Sequence, residues 1–209
     1  MITPHQAAQY ARAIYNPITP NTFSHVVSAG GITAGIADID GQRVIALSGS
    51  ECAKDWARDF YAAKHSVIEH PDIGVVHAGM WEGMEEFFSV IKEYLIGDIV
   101  IVCHSLGCAH ASFLTGLCAV NGIPVMGLYL FAPPKCSYHT LADLIALHVT
   151  HVKAYRNGID PVPIVPFTIP FIENWVSPAK LIDIEFQPKN PIDLFAWHSI
   201  DLYCEVVDQ

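Results

Sequence analysis

Continuous apolar segments alternate along this chain with segments whose apolar positions recur at helical spacing. The segments at residues 99–102 and 125–131 are almost wholly apolar, whereas residues 81–95 carry apolar side chains every three or four positions. Strands that are apolar on both faces are typical of a parallel sheet covered by helices. The pattern therefore predicts an α/β fold with a mostly parallel central sheet flanked by helices.

The first half of the chain carries clear signals for where elements begin and end. Thr3 followed by Pro4 predicts a helix start, and this helix runs to about Ile14. Residues 17–33 are rich in turn formers, and Asp40-Gly41 predicts a hairpin turn between flanking strands. The other predicted elements are hairpin strands at 33–38 and 43–47, helices at 52–63, 81–95, 106–120 and 141–147, strands at 73–76, 98–102, 125–131, 148–155 and 181–186, and a C-terminal segment at 197–206.

Size and composition predict one globular domain over residues 1–209. The chain is 52% hydrophobic, and its mean hydropathy is +0.33. The longest uncharged stretch, residues 99–134, contains glycine, asparagine and proline where a strand, a helix and a second strand would end. We therefore expect it to form the centre of the sheet, without stable membrane insertion. The first residues show no signal-peptide pattern, which predicts a cytoplasmic protein.

The charge balance and the cysteines exclude several functions. The net charge is −10, with 21 acidic and 11 basic residues, which argues against binding nucleic acid or anionic membranes. A lipid or small-molecule ester is unaffected by this argument. The six cysteines form no C-x-x-C pair, so we expect buried free thiols and no zinc site. His148 and His151 would make a metal pair only on a helix, and a strand is predicted there, so we expect no metal or cofactor.

Candidate chemistry centres on Ser105, which directly follows the apolar strand at residues 98–102. Small residues and a helical pattern come next, which is the layout of a nucleophile elbow, a tight turn that exposes a serine hydroxyl above a sheet. Gly107 meets the requirement for a small residue two positions after the serine. Cys103 stands where the usual G-x-S-x-G pattern has glycine.

A serine nucleophile needs a base and a group that orients the base. On hydrolase scaffolds of this type the acid follows the serine and the histidine comes last. His198 is the single histidine beyond residue 151. The acidic residues between serine and histidine that qualify are Asp143, Asp160, Asp183, Asp193, Glu173 and Glu185. Asp160 is best placed, since it follows a predicted strand at the sheet edge that carries the elbow, and Asp183 is second.

The tetrahedral intermediate of acyl transfer also needs two hydrogen-bond donors for its oxyanion. The backbone N–H of Leu106 at the start of the elbow helix is one candidate. Ser50, in the Ser-Gly-Ser segment after an early strand, is the other, although such a segment is equally consistent with a plain turn.

The loop after Asp160 is too apolar for a solvated connection. Ile164, Val165, Phe167 and Ile169 are candidates to line an acyl pocket. The alternative is a loop that its prolines pack into the core.

Taken together, these segments resemble the class 3 lipases, a fungal-type family with the α/β-hydrolase fold. The likeness covers about residues 44 to 203 and lies in blocks that follow the family's order. These blocks are Ser-Gly-Ser at 48–50 with Asp-Trp at 55–56 and Asp-Phe at 59–60, Val-His-Ala-Gly-Met at 76–80, Cys-His-Ser-Leu-Gly-Cys-Ala at 103–109, Asn-Gly-Ile-Asp-Pro-Val-Pro at 157–163, and His198 with Tyr203.

The resemblance implies that Ser105 is the nucleophile, Asp160 the acid, His198 the base and Ser50 an oxyanion donor. It places a lid within residues 50–70. Cys103 and Cys108 depart from the family, which has glycine at both positions. We therefore expect a serine esterase or lipase that needs no cofactor. A non-catalytic binding module of the same fold, an acyltransferase and, as a minor option, a cysteine nucleophile at Cys103 stay open.

Overall fold

In the computed structural model, the described residues are 1–17, 22–49, 67–166 and 174–205. The strands are β1 (His25–Ala29), β2 (Ile32–Ile39), β3 (Gln42–Leu47), β4 (Val67–His70), β5 (Gly74–His77), β6 (Asp98–His104), β7 (Val125–Phe131), β8 (His151–Asn157) and β9 (Leu181–Ile184). The α-helices are α1 (Pro4–Ala13), α2 (Ala78–Trp81), α3 (Met84–Ile91), α4 (Leu106–Val120), α5 (His139–His148) and α6 (Ile200–Tyr203). Short 3-10 helices span Lys92–Tyr94, Val162–Ile164 and Leu194–His198.

Seven of the described strands form one sheet in the order β1-β2-β3-β6-β7-β8-β9. β2 pairs antiparallel with both β1 and β3, and every pairing from β3 to β9 is parallel. β4 and β5 form a separate two-stranded hairpin. The mostly parallel sheet with flanking helices confirms the predicted architecture.

Side chains alternate between two buried faces along the central strands. On β6, Ile99, Ile101 and Cys103 join the core that lies under α4 and α5. Val100 and Val102 point to the other face, where α1 and Tyr203 pack. This double burial explains why the strand is apolar at almost every position.

Parallel order brings the ends of β6 and β8 to one edge of the sheet. Ser105 directly follows β6, and Asp160 follows β8 after two residues. Residues from distant parts of the chain can therefore meet above this edge.

Three sequence predictions are corrected or left outside the described residues. Residues 25–29 form the edge strand β1 rather than the predicted turn. The sequence does not predict this strand because its apolar signal is weak, and Val27 is its single buried residue. The helix predicted at 81–95 is divided at Gly83, which has a φ of 76°. The helix predicted at 52–63 lies outside the described residues.

The start of α1 offers a direct test of the local rules. The Thr3 hydroxyl accepts from the Gln6 N–H at 3.2 Å, and the Gln6 side chain accepts from the Thr3 N–H at 2.9 Å. We expect Thr3→Ala to lower the free energy of unfolding by about 1 kcal/mol, because the Gln6 N–H loses its acceptor. Urea unfolding measures this. Thr3→Ser keeps the cap and should match the wild type, so equal losses in both variants would contradict the capping role.

Candidate active site

The turn between β6 and α4 holds Ser105 in a strained backbone conformation. Its φ is 60° and its ψ is −132°, a region that a residue with a side chain rarely adopts. Its N–H donates to the Phe131 carbonyl at 3.0 Å, which ties the turn to β7. At Gly107 a Cβ atom would lie 2.7 Å from the Leu47 carbonyl oxygen, so glycine is required there. These are the features that the sequence predicted for an elbow.

The side chains of Ser105, His198 and Asp160 form one continuous row of hydrogen bonds. Nε2 of His198 lies 2.8 Å from Oγ of Ser105, and Nδ1 lies 2.9 Å from Oδ2 of Asp160. A carboxylate only accepts, so Nδ1 carries the ring hydrogen and Nε2 accepts from the serine hydroxyl. The structure thus brings together the three residues that the sequence singled out.

Asp160 is 2% exposed, and its carboxylate is matched by donors in addition to His198. The Val162 N–H donates to Oδ1 at 2.9 Å, and the Tyr203 hydroxyl donates to Oδ2 at 2.6 Å. The Asn157 N–H donates to the same tyrosine oxygen at 2.9 Å. Burial and the adjacent Asp160 charge raise the pKa of Tyr203 well above its usual value, which keeps this hydroxyl a donor.

Asn157 and Trp197 join the loop that carries the acid to the segment that carries the base. Nδ2 of Asn157 donates to the Trp197 carbonyl at 3.3 Å and to the Phe186 carbonyl at 2.9 Å. Gly158 has a φ of 49°, and a Cβ there would overlap the Trp197 ring. Close packing on this indole therefore sets the spacing between Asp160 and His198.

The two predicted oxyanion donors have different outcomes. Leu106 is the first residue of α4, so its N–H belongs to the first turn, where donors have no acceptor within the helix. Ser50 lies outside the described residues. Ser48 and Gly49 precede it directly, and Gly49 packs against the elbow with 3.1 Å from its Cβ position to Cβ of Ser105.

The predicted acyl-pocket residues are only partly described. Val165 is buried, and its carbonyl accepts from the Lys135 N–H at 2.9 Å. Ile164 is 38% exposed at the end of its short 3-10 helix. Phe167 and Ile169 lie outside the described residues, as does most of the segment predicted to hold a lid. Pocket lining stays a prediction for all four residues.

Two alternatives from the sequence meet different surroundings in the structure. Asp183, the second choice for the acid, is exposed on β9 and pairs with Arg156 at 2.7 Å. Cys103 lies in the core under α4, and its thiol donates to the Tyr129 carbonyl at 3.4 Å. Cys108 donates likewise to Phe131 at 3.3 Å. The two thiols that replace the family's glycines are thus accommodated by carbonyls of β7.

Sequence reasoning missed the contacts of two side chains at this site: His104 hydrogen-bonds to the His198 carbonyl, and Tyr203 to Asp160. The sequence marks Tyr203 only as part of the C-terminal block. Its contact with Asp160 joins two residues that are 43 positions apart in the sequence. His77, in the Val-His-Ala-Gly-Met block, is buried beside the Trp175 ring at a centroid distance of 5.4 Å. Burial lowers its pKa to about 4, so the ring is neutral.

In the part of the chain that the structure describes, no cluster of three or more His, Cys, Asp or Glu residues could hold a metal ion. His148 ends α5 and His151 begins β8, so the pair is not on one helix. Within the same described ranges, no helix combines the length and apolarity needed to cross a bilayer.

Solved structures of fungal lipases share this fold. A mutant form of MDLA from Penicillium cyclopium aligns with a TM-score of 0.64 and 20% identity, covering 90% of this chain and 78% of that one. Lip2 lipase from Yarrowia lipolytica aligns with a TM-score of 0.65 and 18% identity, covering 88% and 78%. A triacylglycerol lipase from Penicillium expansum aligns with a TM-score of 0.62 and 16% identity, covering 86% of this chain and 78% of that one. These likenesses confirm the predicted α/β-hydrolase fold.

The family assignment comes from the sequence. No curated protein matches the chain. The family model for class 3 lipases matches residues 44–169. This range is more than half of the chain and includes the elbow and Asp160. The predicted resemblance is confirmed: this chain belongs to the class 3 lipase family and is a carboxylic ester hydrolase.

Proposed function

We propose that this chain hydrolyses esters of lipid-like acyl groups, with Ser105 as nucleophile, His198 as general base and Asp160 as the group that orients the base. The observation that carries this proposal is the row of hydrogen bonds from serine to imidazole to carboxylate, at 2.8 and 2.9 Å. A nucleophile, a base and an orienting acid within hydrogen-bond distance are what acyl transfer to a serine requires.

In the proposed cycle, Oγ of Ser105 attacks the ester carbonyl carbon while its proton passes to Nε2 of His198. The carbonyl oxygen becomes an oxyanion, which the N–H of Leu106 and a donor from Ser50 stabilise. The intermediate collapses, the C–O bond to the alcohol breaks, and His198 protonates the departing oxygen. Water then attacks the acyl-enzyme by the same route, which releases the acid and restores the serine hydroxyl.

Asp160 contributes most when the imidazole is charged. Its carboxylate lies against Nδ1 of the ring, so the imidazolium that forms during attack is paired rather than buried alone. The donors from Val162 and Tyr203 hold the carboxylate in this orientation. A fixed carboxylate keeps Nδ1 protonated and leaves Nε2 free to take the serine proton.

Exposed aliphatic side chains on the loops next to the site favour an apolar substrate. Ile192 is 91% exposed, Ile159 is 56% exposed and Leu194 is 50% exposed. The Trp197 ring nitrogen donates to the Pro191 carbonyl at 3.0 Å, which ties the main chain next to Ile192 to the segment that carries His198. These residues lie near Asp160 and His198 in the sequence, so we propose that they form an aliphatic rim that a lipid-like ester meets on its way to Ser105. The similar protein from Penicillium expansum is a triacylglycerol lipase, which agrees with this substrate class.

Replacing the proposed nucleophile or base tests the mechanism. We expect Ser105→Ala and His198→Ala each to lower kcat for a p-nitrophenyl ester by about 10³-fold or more, because attack and proton transfer act together. Steady-state hydrolysis of a short and a long ester measures the loss. Ser112→Ala is the matched control. Ser112 is a buried serine on α4, the helix that follows Ser105, and its hydroxyl donates to the Cys108 carbonyl. Wild-type rates in Ser105→Ala would contradict the mechanism.

Removing one hydroxyl tests the support of the acid. Tyr203→Phe deletes the donor to Asp160, and we expect kcat/KM to fall about tenfold, in line with the loss of a hydrogen bond to a charged group. The control is Tyr129→Phe, which deletes an equally buried hydroxyl that donates to the Ile2 carbonyl at 2.7 Å. We expect the two variants to lose similar stability, and we expect only Tyr203→Phe to lose activity. Equal activity in both variants would refute the role of Tyr203.

The aliphatic rim is tested by comparing two forms of substrate. We expect Ile192→Ser to lower the rate on an emulsified long-chain ester about threefold or more, since burial of this side chain against lipid is lost. The rate on dissolved p-nitrophenyl acetate should stay at the wild-type value. Leu147→Ser, on α5 and 78% exposed, is the control. A matching loss in the control, or no loss in Ile192→Ser, would count against the rim.

A further inference from the structure

His104, the residue before Ser105, makes two hydrogen bonds that the reaction itself does not use. Its Nε2 lies 2.9 Å from the carbonyl oxygen of His198, and its Nδ1 lies 2.8 Å from the hydroxyl of Tyr15. The ring is 5% exposed and lies against the His198 ring at a centroid distance of 4.5 Å. The His104 ring therefore contacts both the side chain and the main-chain carbonyl of His198, the proposed base.

The chemistry of the partners assigns the direction of each bond. A carbonyl oxygen only accepts, so Nε2 of His104 carries the hydrogen and donates to His198. Nδ1 is then an acceptor, and the Tyr15 hydroxyl donates to it. Burial, and then the neighbouring His198, hold the pKa of His104 well below its usual value, so the ring stays in this neutral form.

Tyr15 reaches the loop after β3 at the other end of this chain of bonds. Burial raises the pKa of Tyr15 above its usual value, so its hydroxyl keeps its proton. This hydroxyl packs closely on Gly49, where a Cβ atom would overlap the hydroxyl oxygen. A Cβ at Gly49 would lie 2.6 Å from the His104 carbonyl oxygen, so this close approach requires glycine. Gly49 directly precedes Ser50, the predicted oxyanion donor.

We propose that Tyr15 and His104 are positioning residues that hold the oxyanion loop and the main chain of His198 in fixed relation to Ser105. The chain of bonds runs from the Tyr15 hydroxyl through the His104 ring to the His198 carbonyl, and the Tyr15 hydroxyl packs against Gly49. It links the segment after β3, the elbow and the base. This inference rests on the proposed function, because it assigns no separate reaction to either residue.

Breaking the chain of bonds has a definite consequence for geometry. Without the Tyr15 hydroxyl, Nδ1 of His104 is a buried acceptor with its donor removed. The hydrogen stays on Nε2, where it still donates to the His198 carbonyl, but no partner at Nδ1 then fixes the orientation of the ring. The base would shift relative to Ser105, which slows chemistry without altering the surface that binds the acyl group.

Tyr15→Phe tests this with a minimal change. We expect kcat for a p-nitrophenyl ester to fall about tenfold with KM unchanged, as the loss of one buried hydrogen bond implies. Tyr10→Phe is the matched control, since Tyr10 lies on α1 and packs against Phe23, and it should keep the wild-type kcat. Unchanged kcat in Tyr15→Phe, or a loss that appears only as raised KM, would overturn the proposal.

Two replacements of His104 separate positioning from simple packing. A glutamine amide extends to the place of Nε2, so its nitrogen can still donate to the His198 carbonyl while its oxygen accepts from the Tyr15 hydroxyl. An asparagine amide reaches only the place of Nδ1 and loses the bond to His198. We expect His104→Gln to keep kcat within about threefold of the wild type and His104→Asn to lose about tenfold, with thermal unfolding measured for both. Equal losses of kcat in the two variants would contradict the proposal.

The wild type and Ser105→Ala are assayed alongside these variants. Loss of hydrolysis in Ser105→Ala, together with full activity in Tyr15→Phe, would refute the positioning role and leave the proposed function intact. Wild-type hydrolysis in Ser105→Ala would refute the proposed function itself.

Discussion

The site depends on how the imidazole of His198 is held. Both ring nitrogens are hydrogen-bonded, one to Asp160 and one to Ser105, and the carbonyl of the same residue accepts from His104. His198 lies in a short C-terminal 3-10 helix, 93 residues from the serine and 38 from the acid. Burial excludes water from these polar groups, so each depends on its protein partners, and a small shift in any one would leave another unsatisfied.

Much of the fold and the order of the site follow from local rules. The apolar segments at β6 and β7 predict strands that are buried on both faces, and the small residues around Ser105 predict a tight turn. Parallel strands place their carboxyl ends at one edge, which favours Asp160 over acids elsewhere in the chain. His198 is the single histidine late enough to serve as base under the chain order of this fold. Each of these steps uses sequence spacing and strand direction alone.

The rest depends on contacts that spacing does not encode. β1 has one buried residue among five and ends at a Gly-Gly turn, so its strand signal is weaker than its turn signal. Gly83 divides a helix because its backbone packs against Gly30, where a Cβ would overlap main-chain atoms. The contacts of Tyr203 with Asp160 and of His104 with His198 form only when distant segments meet. Nothing in the residues next to either one indicates which group it will bind.

The central claim is that the hydroxyl of Ser105 is the atom that takes the acyl group. Peptide mass spectrometry after reaction with a fluorophosphonate tests it most directly, because this reagent forms a covalent bond with an activated serine. The account predicts a single adduct, on Ser105, that appears as ester hydrolysis is lost and fails to form in His198→Ala on the same timescale. Complete loss of hydrolysis with an adduct on a different residue, or an active enzyme that forms no adduct, would contradict it.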